Sequence, residues 1–141
     1  MQFDKVIYTI KLSISALFAC LFGGFDPLLE LLCIAMAVDF LSGLLLAVIY
    51  KKSTKTRGGA LSSDVAVKGV IRKVCQLFLV MLITKLGTAI GDSYFCRNTA
   101  IIFFIANEGI SILENMGLMG VPYPEWLKSG LDVLLEKSQK K

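Results

Sequence analysis

Histidine is absent from this chain of 141 residues, and charged residues make up only 18% of it. The absence removes the side chain that most often serves as a general base or a metal ligand. The sequence also contains neither a Gly-rich phosphate-binding loop nor a nucleophile elbow. We therefore expect a protein that is not an enzyme and that holds no metal or cofactor.

The cysteines do not form the pairs that mark a redox or zinc motif. There are four of them, Cys20, Cys33, Cys75 and Cys96, and none is in a CxxC spacing. The first three lie in apolar runs. We interpret them as small buried hydrophobic residues. A disulfide or a metal site is the alternative.

Hydrophobic residues, by contrast, are abundant. They make up 55% of the chain, and the mean hydropathy is +0.70, well above the range of a soluble domain of this length. The net charge of +4 comes from basic residues beside apolar runs rather than along a soluble face, so nucleic acid is not an expected partner. Membrane lipid is.

The apolar runs predict an all-α integral membrane protein that forms a single domain over residues 1–141. We expect about four transmembrane helices, at 6–22, 28–50, 74–90 and 99–118, or three if the first lies in the interface. A cleaved signal peptide is the competing interpretation of the first run. A short amphipathic helix at 124–137, with Leu127, Leu131 and Leu134 on one face, is expected to lie at the membrane surface.

The basic residues indicate the orientation. Segment 51–73 is predicted to be a basic cytoplasmic loop that includes a surface helix beginning near Val65. With four spans, thirteen Lys and Arg residues fall on this side and one, Arg97, on the other. Both termini are therefore predicted to be cytoplasmic.

A strip of small or polar residues follows the second span. Ala35, Asp39, Gly43 and Ala47 recur at every fourth position, which places them on one narrow face of a helix. Such a face lets another backbone approach closely. The approaching helix belongs either to the same chain or to another subunit, and the strip is a candidate oligomerisation site.

The fourth span carries an unusual concentration of polar groups. Five of them share one side of the helix as oligomerisation or pore-lining candidates: Asn107, Glu108, Ser111, Glu114 and Asn115. An acidic group in the middle of a membrane costs about 2.5 to 3.5 kcal/mol, whereas each apolar neighbour contributes only roughly 0.3 to 0.6 in return. This face therefore lines a pore, contacts another subunit or seals against the second span.

The two buried acids of these spans are predicted to lie at similar depth. Asp39 and Glu108 are each about 13 to 17 Å from the outer end of their span. We hypothesise that Lys85 of the third span reaches inward to pair with one of them. In the alternative, Lys85 extends outward and the acids are protonated.

Several short motifs resemble the toxin-secretion/phage-lysis holin family. The more specific part is Asn107-Glu108, Ile110-Ser111-Ile112 and Glu114-Asn115, followed by Gly120-Val121-Pro122 and Pro124. The central part is Asp39 with Gly43, then Lys51-Lys52-Ser53 and Gly69-Val70-Ile71-Arg72-Lys73.

The resemblance implies a small protein of the bacterial cytoplasmic membrane that forms homo-oligomers and then opens lesions. Through these lesions a cell-wall endolysin, or in some relatives a toxin, crosses the membrane. A small four-span ion-coupled exporter and an antiholin-like regulator are the alternatives to this expectation.

Overall fold

The computed structural model describes residues 2–56 and 58–139, and these are helical apart from short connections. The helices are α1 (Gln2–Phe22), α2 (Pro27–Leu45), α3 (Ser63–Ile90), α4 (Ser93–Met119) and α5 (Glu125–Gln139). The end of α2 continues as a π-helical segment, Leu46–Tyr50. The expected all-α class is confirmed.

Three of the helices are long and apolar enough to cross a membrane: Gln2–Phe22, Pro27–Tyr50 and Ser93–Met119. They coincide with the predicted first, second and fourth spans. The α3 helix carries four basic residues along its length and is not among them.

Local sequence signals explain where these helices begin and end. Asp26 caps α2, since its side chain accepts a hydrogen bond from the backbone N–H of Leu29 at 2.9 Å, and Pro27 opens the first turn. Gly91 ends α3 with φ at 82°, a left-handed conformation that favours glycine. Only Gly91 and Asp92 separate α3 from α4, so the two helices form an antiparallel hairpin.

The α4 helix lies at the centre and packs against α2, α3 and α5. Six apolar side chains from α2, α3 and α4 form the core: Leu29, Leu32, Met36, Val80, Ile101 and Phe104. The α3–α4 contact is tightest at Gly87, where a Cβ atom would lie 2.8 Å from the Cα of Ser93. Backbones therefore meet directly at this end of the hairpin.

The α1 helix has no buried residue, although it is strongly apolar. It contacts α3, and Phe18 and Phe22 near its end pack against the core. The remainder exposes large side chains such as Phe3, 81% exposed, and Tyr8, 69% exposed. An apolar helix of this kind requires lipid or another protein around it.

The segment before the predicted third span differs from expectation. Residues from Ser63 onward form one uninterrupted helix with 74–90, rather than a surface helix followed by a separate span. The physical reason is that no proline interrupts α3 and that one interior glycine, Gly69, does not break a helix. Lys68, Arg72 and Lys73 therefore lie within the same helix as 74–90, rather than in a separate helix at the surface.

Two further expectations concern side chains. The four cysteines are free thiols but none is buried: Cys20 and Cys75 are exposed, while Cys33 and Cys96 are half-buried, so their interpretation as buried residues is wrong. Cys96 lies at the contact between α3 and α4, where a Cβ atom on Gly87 would be 2.9 Å from its own Cβ. The side chains of Leu131 and Leu134, on which the predicted amphipathic face of α5 depends, lie outside the described residues.

Candidate functional site

Lys73 joins the two acids of the predicted spans. Its Nζ atom donates to Oδ2 of Asp39 at 2.7 Å and to Oε2 of Glu108. The Lys73 side chain is 16% exposed, and those of Asp39 and Glu108 are 10% and 4% exposed. We call these three residues the Lys73 centre. It links α2, α3 and α4 through charge.

Two amides complete the bonding of the carboxylates. Gln76 donates from Nε2 to Oε1 of Glu108 at 2.8 Å, and Asn115 donates from Nδ2 to Oδ1 of Asp39 at 3.4 Å. Asn115 also donates to Oγ of Ser42 at 2.9 Å. Each carboxylate oxygen therefore has a partner, which a buried ion requires if its lost hydration is to be offset.

The depth of the three helices explains why these residues meet. At 1.5 Å per residue, Asp39 and Glu108 lie about 17 Å, and Lys73 about 15 Å, from the helix ends next to the basic loop. The α2 and α4 helices run in the same direction and α3 runs against them, so these depths coincide. One lysine can thus bridge two carboxylates at the same level.

The hypothesis that Lys85 pairs with Asp39 or Glu108 is wrong, because the lysine that binds both carboxylates is Lys73. Lys85 is exposed, and its Nζ atom lies 4.0 Å from Sγ of Cys20. The error follows from separating the predicted surface helix from the span at 74–90, because one continuous helix from Ser63 carries Lys73 inward by almost three turns. The sequence did contain a signal for the correct lysine: Lys73 and Gln76 are about one helical turn apart, so both can bond to the same acid.

The strip of small residues on α2 faces α4 of the same chain. Ala35, Asp39 and Ala47 are buried, and a Cβ atom on Gly43 would lie 3.6 Å from Nδ2 of Asn115. Of the two alternatives for this strip, the structure therefore favours packing within the chain. A close partner is already present on this face.

The polar residues of α4 divide into two groups. Glu108 and Asn115 are buried against α2 and α3, and Ser111 beside them is half-buried. Asn107 and Glu114 are exposed. Of the three alternatives for this face, sealing against the second span describes Asn115, which bonds to Asp39 and Ser42. Glu108 bonds instead to Lys73 and Gln76 of α3, and Asn107 and Glu114 remain accessible.

A second ionic site, which the sequence reasoning missed, lies at the opposite end of the bundle. The guanidinium of Arg97, in the first turns of α4, donates to Asp26 Oδ2 at 2.8 Å and Oδ1 at 3.0 Å. It also donates to the backbone oxygens of Phe22 and Gly24. Arg97 thereby fixes the connection between α1 and α2 to the start of α4.

This clamp alters the acidity of Asp26, which precedes the α2 span. The hydrogen bonds from Arg97, together with the one from the backbone of Leu29, outweigh partial burial and lower the pKa of Asp26 to about 2. The sequence did contain a signal: Asp26 is the acid in the predicted connection between the first two spans, and Arg97 is the one basic residue in the predicted connection 91–98. Their separation of 71 residues hid it.

A cavity of about 120 Å³ lies beside the Lys73 centre. Its walls come from the connection after α2, the first turns of α3 and the middle of α4. Asp39, Lys73 and Glu108 form part of the lining, as do the exposed Lys55 and Arg72. The cavity therefore places a polar space between the buried ions and the basic end of the bundle.

The chemistry of the Lys73 centre is ionic rather than catalytic. A lysine between two carboxylates offsets one of their two negative charges and fixes three helices, but supplies no activated nucleophile. Within residues 2–56 and 58–139, no cluster of Cys, Asp or Glu is arranged to hold a metal ion. Fold and site together define a helical membrane protein with apolar outer faces and a charged interior.

The chain belongs to the bacteriophage holin family, whose model matches residues 16–136. This family consists of membrane pore formers rather than enzymes. A probable holin of Bacillus phage phi105 is 28% identical over 123 residues, covering 87% of this chain and 84% of that protein.

Two further relatives are uncharacterized proteins. An uncharacterized protein of Listeria monocytogenes is 35% identical over 127 residues, covering 90% of this chain and 85% of the relative. An uncharacterized 14.9 kDa protein of Clostridium perfringens is 33% identical over 138 residues, covering 95% and 98%. No solved structure matches the chain.

Proposed function

We propose that this protein is a working holin. Copies of the chain accumulate in the bacterial cytoplasmic membrane, associate, and open lesions through which an endolysin, or a toxin, leaves the cytoplasm. Membership of the holin family and the similarity to a probable phage holin support this function.

The observation that carries the proposal is the Lys73 centre. Three charged residues in the middle of apolar helices have their bonding needs met inside one chain. A subunit of this kind can enter lipid and remain closed, because none of its buried charges faces the acyl chains. If α4 separates from α2 in an assembly, the same residues turn to water and give the lesion a polar wall.

The subunit contacts are proposed to lie on the outer apolar faces. The strip of Ala35 and Gly43 already packs against α4, so it is not free for another copy in the closed chain. The α1 helix, which has no buried residue, offers a long unpartnered apolar surface. Asn107 and Glu114, exposed on α4, would join the polar wall once lesions open.

We propose a topology in which α1 to α4 all span and both termini are cytoplasmic. The basic connection after α2 lies at one end of the bundle, and the Arg97 clamp lies at the other. Placing the basic end in the cytoplasm satisfies the positive-inside rule. The buried charge of α3 is compatible with a span because Lys73 is paired with two carboxylates. The exposed Lys85 lies near the opposite end of α3, from which its long side chain can extend toward water.

One experiment tests this function directly. The chain is induced alone in bacteria that also contain a cytoplasmic endolysin, and membrane potential and endolysin release are followed together. A delayed, abrupt loss of potential with release is expected. Gradual efflux of a particular solute without depolarisation would indicate an exporter, and a chain that only delays the lysis caused by another holin would be an antiholin.

A matched pair of variants tests whether the Lys73 centre controls lesion opening. Glu108→Gln weakens the Lys73 centre, whereas Glu114→Gln alters an exposed acid on the same helix. We expect the first to shift the onset of lysis by much more than the second. Equal onset times for both variants and the unmodified chain would contradict a role for the Lys73 centre in lesion opening.

A further inference from the structure

The cavity beside the Lys73 centre has room for more than water. A single water molecule requires roughly 10 to 15 Å³ of such space, so about 120 Å³ accommodates a small polyatomic group together with several waters. Its lining combines hydroxyl groups with apolar side chains, among them Ser53, Thr54, Thr56 and Leu61. The space suits a ligand that is polar at one end.

The charges of the lining favour an anion. Three cationic side chains, Lys55, Arg72 and Lys73, face two carboxylates, those of Asp39 and Glu108, so the formal net charge is +1. The carboxylates are bonded to Lys73 and to two amides. In the described part of the chain, neither Lys55 nor Arg72 lies within ion-pair distance of a carboxylate, although Lys55 attracts Asp39 from further away. The charged groups of both side chains therefore keep donors for a ligand.

Hydrogen bonds hold the described parts of the connection that lines the cavity, residues 51–56 and 58–62. The N–H of Ser53 donates to the backbone oxygen of Gly59 at 3.0 Å, and Thr56 Oγ1 donates to that of Ala60 at 2.9 Å. Gly59 has φ at 69°, and a Cβ atom there would lie 2.0 Å from the backbone oxygen of Lys51. Only glycine fits at this point, and the turn holds Lys55 over the cavity.

We propose that this cavity binds a phosphate group, with Lys55 and Arg72 as its principal ligands. Hydroxyl groups of the covering connection and of Ser62, whose side chain makes no capping bond, supply further donors. A phosphate group of this kind belongs either to the headgroup of an anionic phospholipid or to free inorganic phosphate. Basic pockets between membrane helices commonly hold such headgroups.

Binding is measured on the full chain, purified in a neutral detergent, by native mass spectrometry. Three probes are added separately: dioleoylphosphatidylglycerol, dioleoylglycerol, which lacks the phosphate, and inorganic phosphate. One molecule of dioleoylphosphatidylglycerol or of inorganic phosphate per chain is expected, and no dioleoylglycerol. If the chain retains the lipid more strongly than inorganic phosphate, the natural ligand is a phospholipid headgroup. If it retains inorganic phosphate more strongly, the natural ligand is the free ion.

Variants test the two ligands. Lys55→Ala and Arg72→Ala together are expected to weaken binding about tenfold or more, because each removes a positive charge beside the anion. Lys55→Arg, which keeps the charge, should bind normally. Lys52→Ala and Lys68→Ala change exposed basic residues that do not line the cavity and should have little effect.

Three results would overturn the site: binding unchanged in the Lys55→Ala chain, an equal loss in Lys52→Ala, or equal retention of dioleoylglycerol. The Lys55→Ala change lies in an exposed connection, so it keeps the test usable if the Arg72 variant does not fold. The result does not depend on lesion formation. A chain that binds phosphate but opens no lesion would contradict the proposed function and leave this site intact.

Discussion

Lys73 and Asp39 are 34 residues apart in the sequence, and their charged atoms are 2.7 Å apart in the structure. Glu108 binds the same ammonium group from the other side. Burying these charged side chains in apolar helices costs free energy, and the bonds between them link α2, α3 and α4. A single lysine therefore decides whether two buried carboxylates are tolerated.

Replacing Lys73 is expected to destabilise the chain strongly. Lys73→Ala leaves two carboxylates buried without their cation, and breaking such a pair typically costs about 3 to 5 kcal/mol. The measurement is denaturant unfolding in detergent, followed by circular dichroism. Lys85→Ala removes an exposed lysine from the same helix and is the control. Equal losses in the two variants would show that burial of the charge has no special effect.

The Arg97 clamp predicts a pH dependence. The pKa of Asp26 is about 2 in the folded chain and 3.8 ordinarily, so its ionised form is favoured by folding. Its contribution to stability is complete above about pH 4 and is lost as the pH falls toward 2. Because Asp26 is 38% exposed, the contribution is screened and small.

The corresponding measurement compares unfolding of the unmodified chain and Asp26→Asn between pH 6 and 2. The unmodified chain should be the more stable at pH 6, and the difference should shrink as the solution becomes acidic. Asp64→Asn, at an exposed acid in the first turn of α3, is the control. A difference that is constant across this range would contradict the ion pair.

Two glycines of α3 should respond in opposite ways to alanine. A Cβ atom at Gly87 would lie 2.8 Å from the backbone of Ser93, so Gly87→Ala forces α3 and α4 apart and destabilises the chain. Gly69 has open space around it, so Gly69→Ala should stabilise the helix by about 0.5 to 1 kcal/mol. Thermal unfolding measures both. Equal shifts of the same sign would contradict the close approach.

The extent of the helices was largely predictable because apolar runs and helix-ending residues are local signals. The predicted spans 28–50 and 99–118 fall within or nearly coincide with Pro27–Tyr50 and Ser93–Met119. Turn residues such as Pro27 and Gly120 mark the ends. The continuity of α3 was harder to predict, since Lys68, Arg72 and Lys73 in its first turns indicated a surface helix separate from the span.

The site was predictable in part. Asp39 and Glu108 were identified because an acid in an apolar run is costly wherever the helix lies. Their partner was not, because choosing between Lys73 and Lys85 requires the register of α3 relative to two other helices. The Arg97 clamp depended in the same way on contacts between distant segments, and no local pattern announces those.

The most direct test of the central claim is a double-mutant cycle on Lys73 and Glu108, using Lys73→Met and Glu108→Gln singly and together. The free energy of unfolding in detergent should reveal a coupling of about 1 to 3 kcal/mol, since the residues share one buried network. The same cycle on Lys85 and Glu108 should give additive changes. Additivity for Lys73 and Glu108, or strong coupling for Lys85 instead, would contradict the account.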